Sequence, residues 1–231
     1  MLKPRILIPW ILQTLMWIPV RATLLLFVNF KIEGLNNFRN ISSPVIFSSN
    51  HTSEMDPIIL TAALPFFSRF FPLFYTSREK SFYINSGLRQ IFYGSTFFKI
   101  WGAYPVEVGK QDYSKSLKAH KEFIDKGLSI CIFPEGGITK DGKLKEFKGG
   151  VAYLSESTCS PLIPVFISGA FRISFKEFFS RKRKITVTFG EPIYLKFDNE
   201  KHTSILDYYK METERIKINT AKLSERPQDF I

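Results

Sequence analysis

Apolar residues along this chain come in two rhythms. Short apolar runs bounded by glycine, proline and polar clusters read as strands: Phe30 to Glu33, Val45–Ser49, Ile130–Phe133, Leu162–Ile167 and Ile185–Phe189. Leu73–Thr76 reads as a further strand. Between them lie segments at helical spacing. One begins at Pro57, one runs from Lys115 to Lys126 with Gly127 as its C-cap, and one covers Gly150 to Ser157. Arg78 to Gln90 alternates loosely and reads as helical, and the charged tail from Lys210 reads as a helix ending near Pro227. Strands alternating with helices predict an α/β fold. The expected form is a single domain with a mixed, mostly parallel central sheet flanked by helices. Ligand sites of such sheets lie at the carboxyl ends of the strands.

The N-terminal pattern is different. Ile6 to Phe30 is strongly apolar and long enough to span a bilayer by length alone. Gln13, Pro19 and Arg21 interrupt it, so two short helices broken near Pro19 and lying in one leaflet are expected. A single tilted transmembrane helix is the competing reading. Trp10 and Trp17 suit the interface, and Lys3, Arg5, Arg21 and Lys31 suit anionic headgroups. No small-x-small cleavage site follows, which disfavours a signal peptide. The expected division is a membrane-associating segment over 1–32 and a domain over 33–231.

Composition narrows the partners. There are 231 residues, with 24 Phe and a net charge of +11 from 32 Lys+Arg against 21 Asp+Glu. A basic excess points to an anionic partner, either nucleic acid or an anionic membrane surface at the cytoplasmic face. No zinc-ligand pattern or RNA-recognition signature accompanies it, so nucleic acid is set aside and no metal site is expected. Arg181-Lys182-Arg183-Lys184 reads as a solvated or membrane-facing turn. Phe66, Phe67, Phe70, Phe71, Phe74 and Tyr75 form a dense aromatic patch. Its default reading is core, with an acyl path or a membrane contact as the alternatives. Cys131 and Cys159 imply no disulfide framework, and reduced thiols are expected. His120, beside lysines on its helix, is expected at the surface or partly buried, and His202 in a polar loop.

Two turns carry candidate chemistry. Asn50-His51-Thr52-Ser53-Glu54-Met55-Asp56-Pro57 follows the Val45–Ser49 run. A histidine at a strand end with a carboxylate at the next helix start can form a general base. The carboxylate fixes the imidazole tautomer and stabilises the imidazolium. Pro57 suits the first helical position and Asp56 the cap. The plainer reading is a helix cap beside a loop histidine. The second turn, Phe133-Pro134-Glu135-Gly136-Gly137, follows Ile130–Phe133. Pro134 ends strand pairing, Glu135 stands at the tip, and the glycines allow close backbone approach to an anion or headgroup. Its plainer reading is a glycine turn leading into a solvated Lys140–Lys143 loop.

Taken together, these blocks resemble the glycerolipid acyltransferase family, typified by 1-acylglycerol-3-phosphate acyltransferases. That family carries Asn-His-x-x-x-x-Asp and, roughly 80 residues later in a domain of ordinary size, Phe-Pro-Glu-Gly. Gly102-Ala103-Tyr104-Pro105-Val106, Leu144–Gly150 and Pro161–Gly169 resemble further family blocks, so the likeness runs from about Phe47 to Gly190. It implies transfer of an acyl group from acyl-CoA or acyl carrier protein to a lysolipid hydroxyl. That acyl thioester is a co-substrate, and no resident cofactor is implied. His51 would be the base, oriented by Asp56, with backbone amides near the turn stabilising the oxyanion. Phe133, Pro134, Glu135, Gly136 and Gly137 would position the acceptor. The family's phosphate-holding arginines are missing: Gly137-Ile138 stands where Thr-Arg is common, and Glu107-Val108-Gly109-Lys110 follows the middle block. Lys110, Lys140 or Lys143 would then substitute as point charges, or the acceptor lacks a free phosphomonoester. Two rivals stand beside this reading: a thioesterase or lipid hydrolase using the same pair, and a non-catalytic basic membrane-binding protein. No Gly-x-Ser-x-Gly elbow is present.

Overall fold

In a computed structural model, the protein is described over residues 3–42, 44–77, 96–106, 112–198, 200 and 204–224. The strands are β1 (Asn29–Glu33), β2 (Ile46–Ser49), β3 (Phe74–Ser77), β4 (Ala103–Pro105), β5 (Ile130–Ile132), β6 (Leu162–Ser168) and β7 (Lys184–Phe189). They form one 7-stranded sheet in the order β1-β7-β6-β2-β5-β3-β4. Among the strands of the described residues, only β6 and β7 pair antiparallel, so the sheet is mixed and mostly parallel, as the alternation of elements predicts.

The helices are α1 (Pro4–Phe27), α2 (Asp56–Ala63), α3 (Thr96–Trp101), α4 (Tyr113–Ser116), α5 (Lys118–Asp125), α6 (Gly150–Thr158), α7 (Phe175–Phe179) and α8 (Ile205–Ala221). Strand side chains alternate between faces, so each face of β2 feeds its own core. Phe47 joins Leu60, Tyr75 and Val165 on the α1–α2 side. Ile46 joins Phe74, Phe123, Leu154 and Ile216 on the α5–α6–α8 side.

Two local expectations need correcting. The helix expected over Lys115 to Lys126 is divided at Leu117, whose ψ of 13 leaves the helical range between α4 and α5. The Asp112 side chain caps α4 by accepting from the Ser114 and Lys115 amides, and Gly127 ends the segment at φ +78. His120 is fully buried, because α5 turns it inward with Phe123 and Ile124. Burial lowers its pKa to about 4, which keeps the ring neutral. The expected helix over Arg78 to Gln90, Lys110, His202 and the tail end at Pro227 lie outside the described residues.

The largest correction concerns the N-terminus. The expected break near Pro19 is absent, and α1 runs for 24 residues through Pro9 and Pro19. Contacts on both sides of Pro19 hold it. Gln13 is fully buried, and its Nε2 donates to the carbonyls of Leu73 (2.8 Å) and Trp101 (2.7 Å). Its Oε1 accepts from the Leu73 amide at 2.8 Å. Trp17 Nε1 donates to Leu64 O at 2.9 Å, and Arg21 Nη1 donates to Ala62 O at 2.7 Å. Residues 13, 17 and 21 share one helix side by their spacing of four. The polar residues that look like interruptions are therefore the docking face.

Candidate active site

Register builds the site. β2 and β5 are parallel neighbours, with Phe47 beside Cys131 and Ser48 beside Ile132. Continuing that register past the strand ends brings His51 level with Glu135, residues 84 positions apart. Both turns thus emerge at one carboxyl edge, the usual place for an α/β site.

The histidine meets its carboxylate. His51 Nδ1 lies 2.9 Å from Asp56 Oδ2, with 17% of the His51 side chain exposed and none of Asp56. Asp56 was expected to cap its own helix, but Met55 occupies the cap position and Asp56 is already helical. Its carboxylate turns back to accept the amides of Thr52 (2.6 Å) and Ser53 (2.9 Å) instead. It therefore closes the loop into a ring around His51. Charge-assisted bonds of this kind are about twice as strong as neutral ones, which favours a single orientation. Phe133 stacks on the imidazole at 4.2 Å between centroids and 21° between planes. Among the described residues the Nε2 edge has no partner.

Glu135 does not stand at the tip of its turn. It is only 4% exposed, and its Oε1 accepts the His51 amide at 2.8 Å while Oε2 accepts the Lys145 amide at 3.2 Å. Burial pushes its carboxyl up to about 7, against the lowering pull of these two amides. Its contacts are those of a residue that fixes the histidine loop. The His51 carbonyl is held in turn by the Thr139 amide at 2.9 Å.

The turn itself is open. Gly136 has φ +69, and a Cβ there would stand 2.7 Å from Lys148 Nζ. Glycine relieves both constraints. Pro134 is buried and its carbonyl accepts the Lys148 amide at 2.9 Å. Among the described residues the amides of Gly137 and Ile138 have no partner. Of the expected lysines, Lys140 and Lys143 have exposed side chains on the following loop. The ammonium groups that meet the glycine turn belong to Lys145, which donates to Gly137 O at 3.1 Å, and to Lys148. Sequence reasoning passed over both, although they stand in Leu144–Gly150, one of the recognised blocks.

Asn50 also went unassigned. Its Nδ2 donates to Ile167 O at 3.0 Å, and its Oδ1 accepts from Ile167 N at 2.7 Å. This pins the β2 exit to β6. The available signal was its place as a polar amide directly after an apolar strand. Tyr75 supports α2 from below: its hydroxyl donates to Pro57 O at 2.9 Å and lies against Thr61.

This fold and site define a class. A family model described as Acyltransferase matches residues 29–168, more than half of the chain, and the chain belongs to that family. Its curated relatives include the chloroplastic 1-acyl-sn-glycerol-3-phosphate acyltransferase BAT2 of Brassica napus. That protein is 26% identical over 73% of this chain and 46% of its own length. The corresponding LPAT1 of Arabidopsis thaliana is 26% identical over 64% of this chain and 38% of its own. The matched region is thus less than half of either relative. The crystal structure of PlsC, a 1-acyl-sn-glycerophosphate acyltransferase from Thermotoga maritima, superposes with a TM-score of 0.57. It is 19% identical and covers 93% of this chain and 82% of that one, a likeness of fold.

Proposed function

We propose that the chain is a membrane-associated O-acyltransferase of phospholipid biosynthesis. It moves a fatty acyl group from acyl-CoA or acyl carrier protein to the hydroxyl of a lysophospholipid such as 1-acylglycerol-3-phosphate. Of the expected 1–32 segment, α1 serves as the membrane-associating part, since Asn29–Glu33 form β1 of the sheet. The remainder of the chain serves as the catalytic domain. The observation that carries this reading is the 2.9 Å contact of His51 Nδ1 with buried Asp56, which leaves Nε2 turned outward. The names of the curated relatives support the acceptor class, and the acyl thioester donor is what the resemblance to the family implies.

In this mechanism Asp56 holds the proton on Nδ1, and Nε2 accepts the acceptor's hydroxyl proton. The oxygen attacks the thioester carbonyl, and the tetrahedral oxyanion collapses with release of the thiolate. The imidazolium returns its proton to that thiolate. No acyl-enzyme forms, because both substrates are held together in one site. The unpartnered amides of Gly137 and Ile138 supply donors for the oxyanion or the headgroup. Lys145 and Lys148, whose ammonium groups reach the glycine turn, are better candidates for an anionic headgroup than Lys140 and Lys143. Glu135 and Phe133 set the loop and ring positions.

The test offers purified protein a labelled acyl thioester with a panel of lysolipids. Labelled diacyl product is expected, greatest with the preferred headgroup. Release of free fatty acid alone would replace transferase by thioesterase.

A further inference from the structure

The connection after β6 takes no part in the proton transfer, yet it leaves the sheet beside the base. Asn50 bonds both the amide and the carbonyl of Ile167, so β6 ends level with His51. Gly169 then turns the chain at φ +81, where a Cβ would collide with the Lys184 carbonyl. Ile173 packs back onto the core. Arg172 lies between these two anchors at φ +47, a left-handed backbone that favours glycine. Residues held in such backbone cluster at active sites and ligand clamps. The exposed Arg172 guanidinium stands 5.0 Å from the centroid of the Phe171 ring. Its Nη2 donates to the Lys140 carbonyl at 2.9 Å. Among the described residues no carboxylate pairs with it. Phe171 in turn lies against Gly142, where a Cβ would meet its ring at 3.0 Å.

The loop that Arg172 grips runs directly from the glycine turn. The Thr139 amide holds the His51 carbonyl at 2.9 Å, and Lys140 is the next residue. Those two residues together span at most about 7 Å, so the guanidinium is one short loop from the base. At the other end, Lys145 Nζ holds the Gly137 carbonyl at 3.1 Å. Two cations are thus fixed to carbonyls at the two ends of Gly137–Lys140, with the unpartnered amides of Gly137 and Ile138 between them. Such a stretch offers an anion two N–H donors and a positive charge at either end. Residue 138 is itself an isoleucine, so the guanidinium is brought here from the exit of the neighbouring strand. Asp141, the loop's own carboxylate, accepts from Thr139 Oγ1 at 2.9 Å and the Lys143 amide at 3.1 Å, bracing the same loop.

We infer that Arg172 is a specificity-determining residue that grips a phosphomonoester on the acceptor's headgroup. A guanidinium gives one phosphate two parallel N–H bonds, which an ammonium does not. One of its N–H groups serves Lys140, and the others remain for the ligand. The bond to Lys140 and the stack on Phe171 hold the fork in place before the lipid arrives, which lowers the ordering cost of binding. The inference deepens the lysophospholipid reading and rests on it for the lipid. It does not rest on acyl transfer, because binding is measurable without a donor.

The test is calorimetric binding of a short-chain 1-acylglycerol-3-phosphate to the full chain, beside the matching 1-acylglycerol, with no acyl donor present. Wild type should favour the phosphate-bearing lipid by about 100-fold, from several charge-assisted bonds. Arg172→Gln keeps an NH2 for Lys140 O and removes the charge. It should cut that preference about tenfold while binding the acylglycerol as wild type does. Arg172→Lys should retain part of the preference. A glutamine variant with the full preference, or one weakened equally toward both lipids, would overturn the assignment and make Arg172 a clasp of its loop. Inorganic phosphate separates the sources of the anion. It should displace the lipid only at concentrations far above the lipid's own, and equal potency would assign the site to free phosphate instead. Kinetics separate grip from chemistry: Arg172→Gln should raise acceptor KM at a kcat within about twofold of wild type. A fallen kcat at unchanged KM would place Arg172 with the base and overturn its headgroup role. A wild type that shows the phosphate preference yet transfers no acyl group would sink the transferase and leave Arg172 as the headgroup residue.

Discussion

The active-site loops and α1 use the same device for opposite ends. In both, buried or half-buried polar side chains bind backbone groups close by. Glu135 and Asn50 take or give bonds across the carboxyl edge of the sheet, Asp56 closes its own loop, and the group left outward is an imidazole nitrogen. Gln13, Trp17 and Arg21 do the same along α1, and the groups left outward are leucines and isoleucines. One arrangement presents a proton acceptor and the other an apolar surface. The inner bonds set position, and the outward groups set what each region meets. Changes to the charge that steadies the outward imidazole should therefore act mainly on rate, and changes to the inner bonds of either region should act mainly on stability.

Asp56→Asn gives the largest expected effect. It keeps the shape but removes the charge that steadies the imidazolium, so kcat should fall by about 100-fold or more with little change in acceptor KM. A near-wild-type rate would detach Asp56 from the chemistry. Gln13→Ala comes next. It leaves the Leu73 amide and two carbonyls unpartnered in the core, which should cost about 3 kcal/mol in chemical denaturation. The rate per folded molecule should hold, and a matching loss of rate would erase the contrast between the regions.

Glu135→Gln gives the smallest effect and the most informative pH dependence. The folded-state pKa of about 7 lies above the usual carboxylate value. The neutral acid is thus the form the fold favours, and its contribution to stability is lost as pH rises from about 4.5 through 7. Glutamine cannot ionise, and its amide NH2 faces an N–H where a carboxylate oxygen accepted. The variant should be less stable than wild type at pH 4.5, with the gap narrowing toward pH 8 in thermal melts. A gap that widens with pH would show Glu135 ionised in its pocket.

Much of this was legible in the chain. Apolar runs identified six of the sheet's seven strands, because buried strands of such a sheet need near-continuous apolar sequence. Three-residue β4 (Ala103–Pro105) is too short to leave that signal. His51 and Asp56 stood out because strand–turn–helix sequence patterns are local. Glu135 was found but misplaced: its burial depends on the β2–β5 register, which links positions 84 apart and leaves no local trace. His120 was misjudged because its lysine neighbours are surface signals, whereas its own side faces Phe123 and Ile124. The N-terminal helix was misread for a related reason. Gln13 and Arg21 look like defects in an apolar run until the domain supplies carbonyls for them to bind. Lys145 and Lys148 were hidden by their distance in sequence from the glycines they approach.

The most direct measurement is acyl transfer to a lysophospholipid by His51→Ala, beside its thermal midpoint. A rate lowered about 1,000-fold per folded molecule is the expected result, since the imidazole's outward nitrogen does the proton transfer. A smaller drop in midpoint should accompany it, from the lost Phe133 stacking and Asp56 bond. Transfer within a few-fold of wild type would contradict the role of His51 as the base.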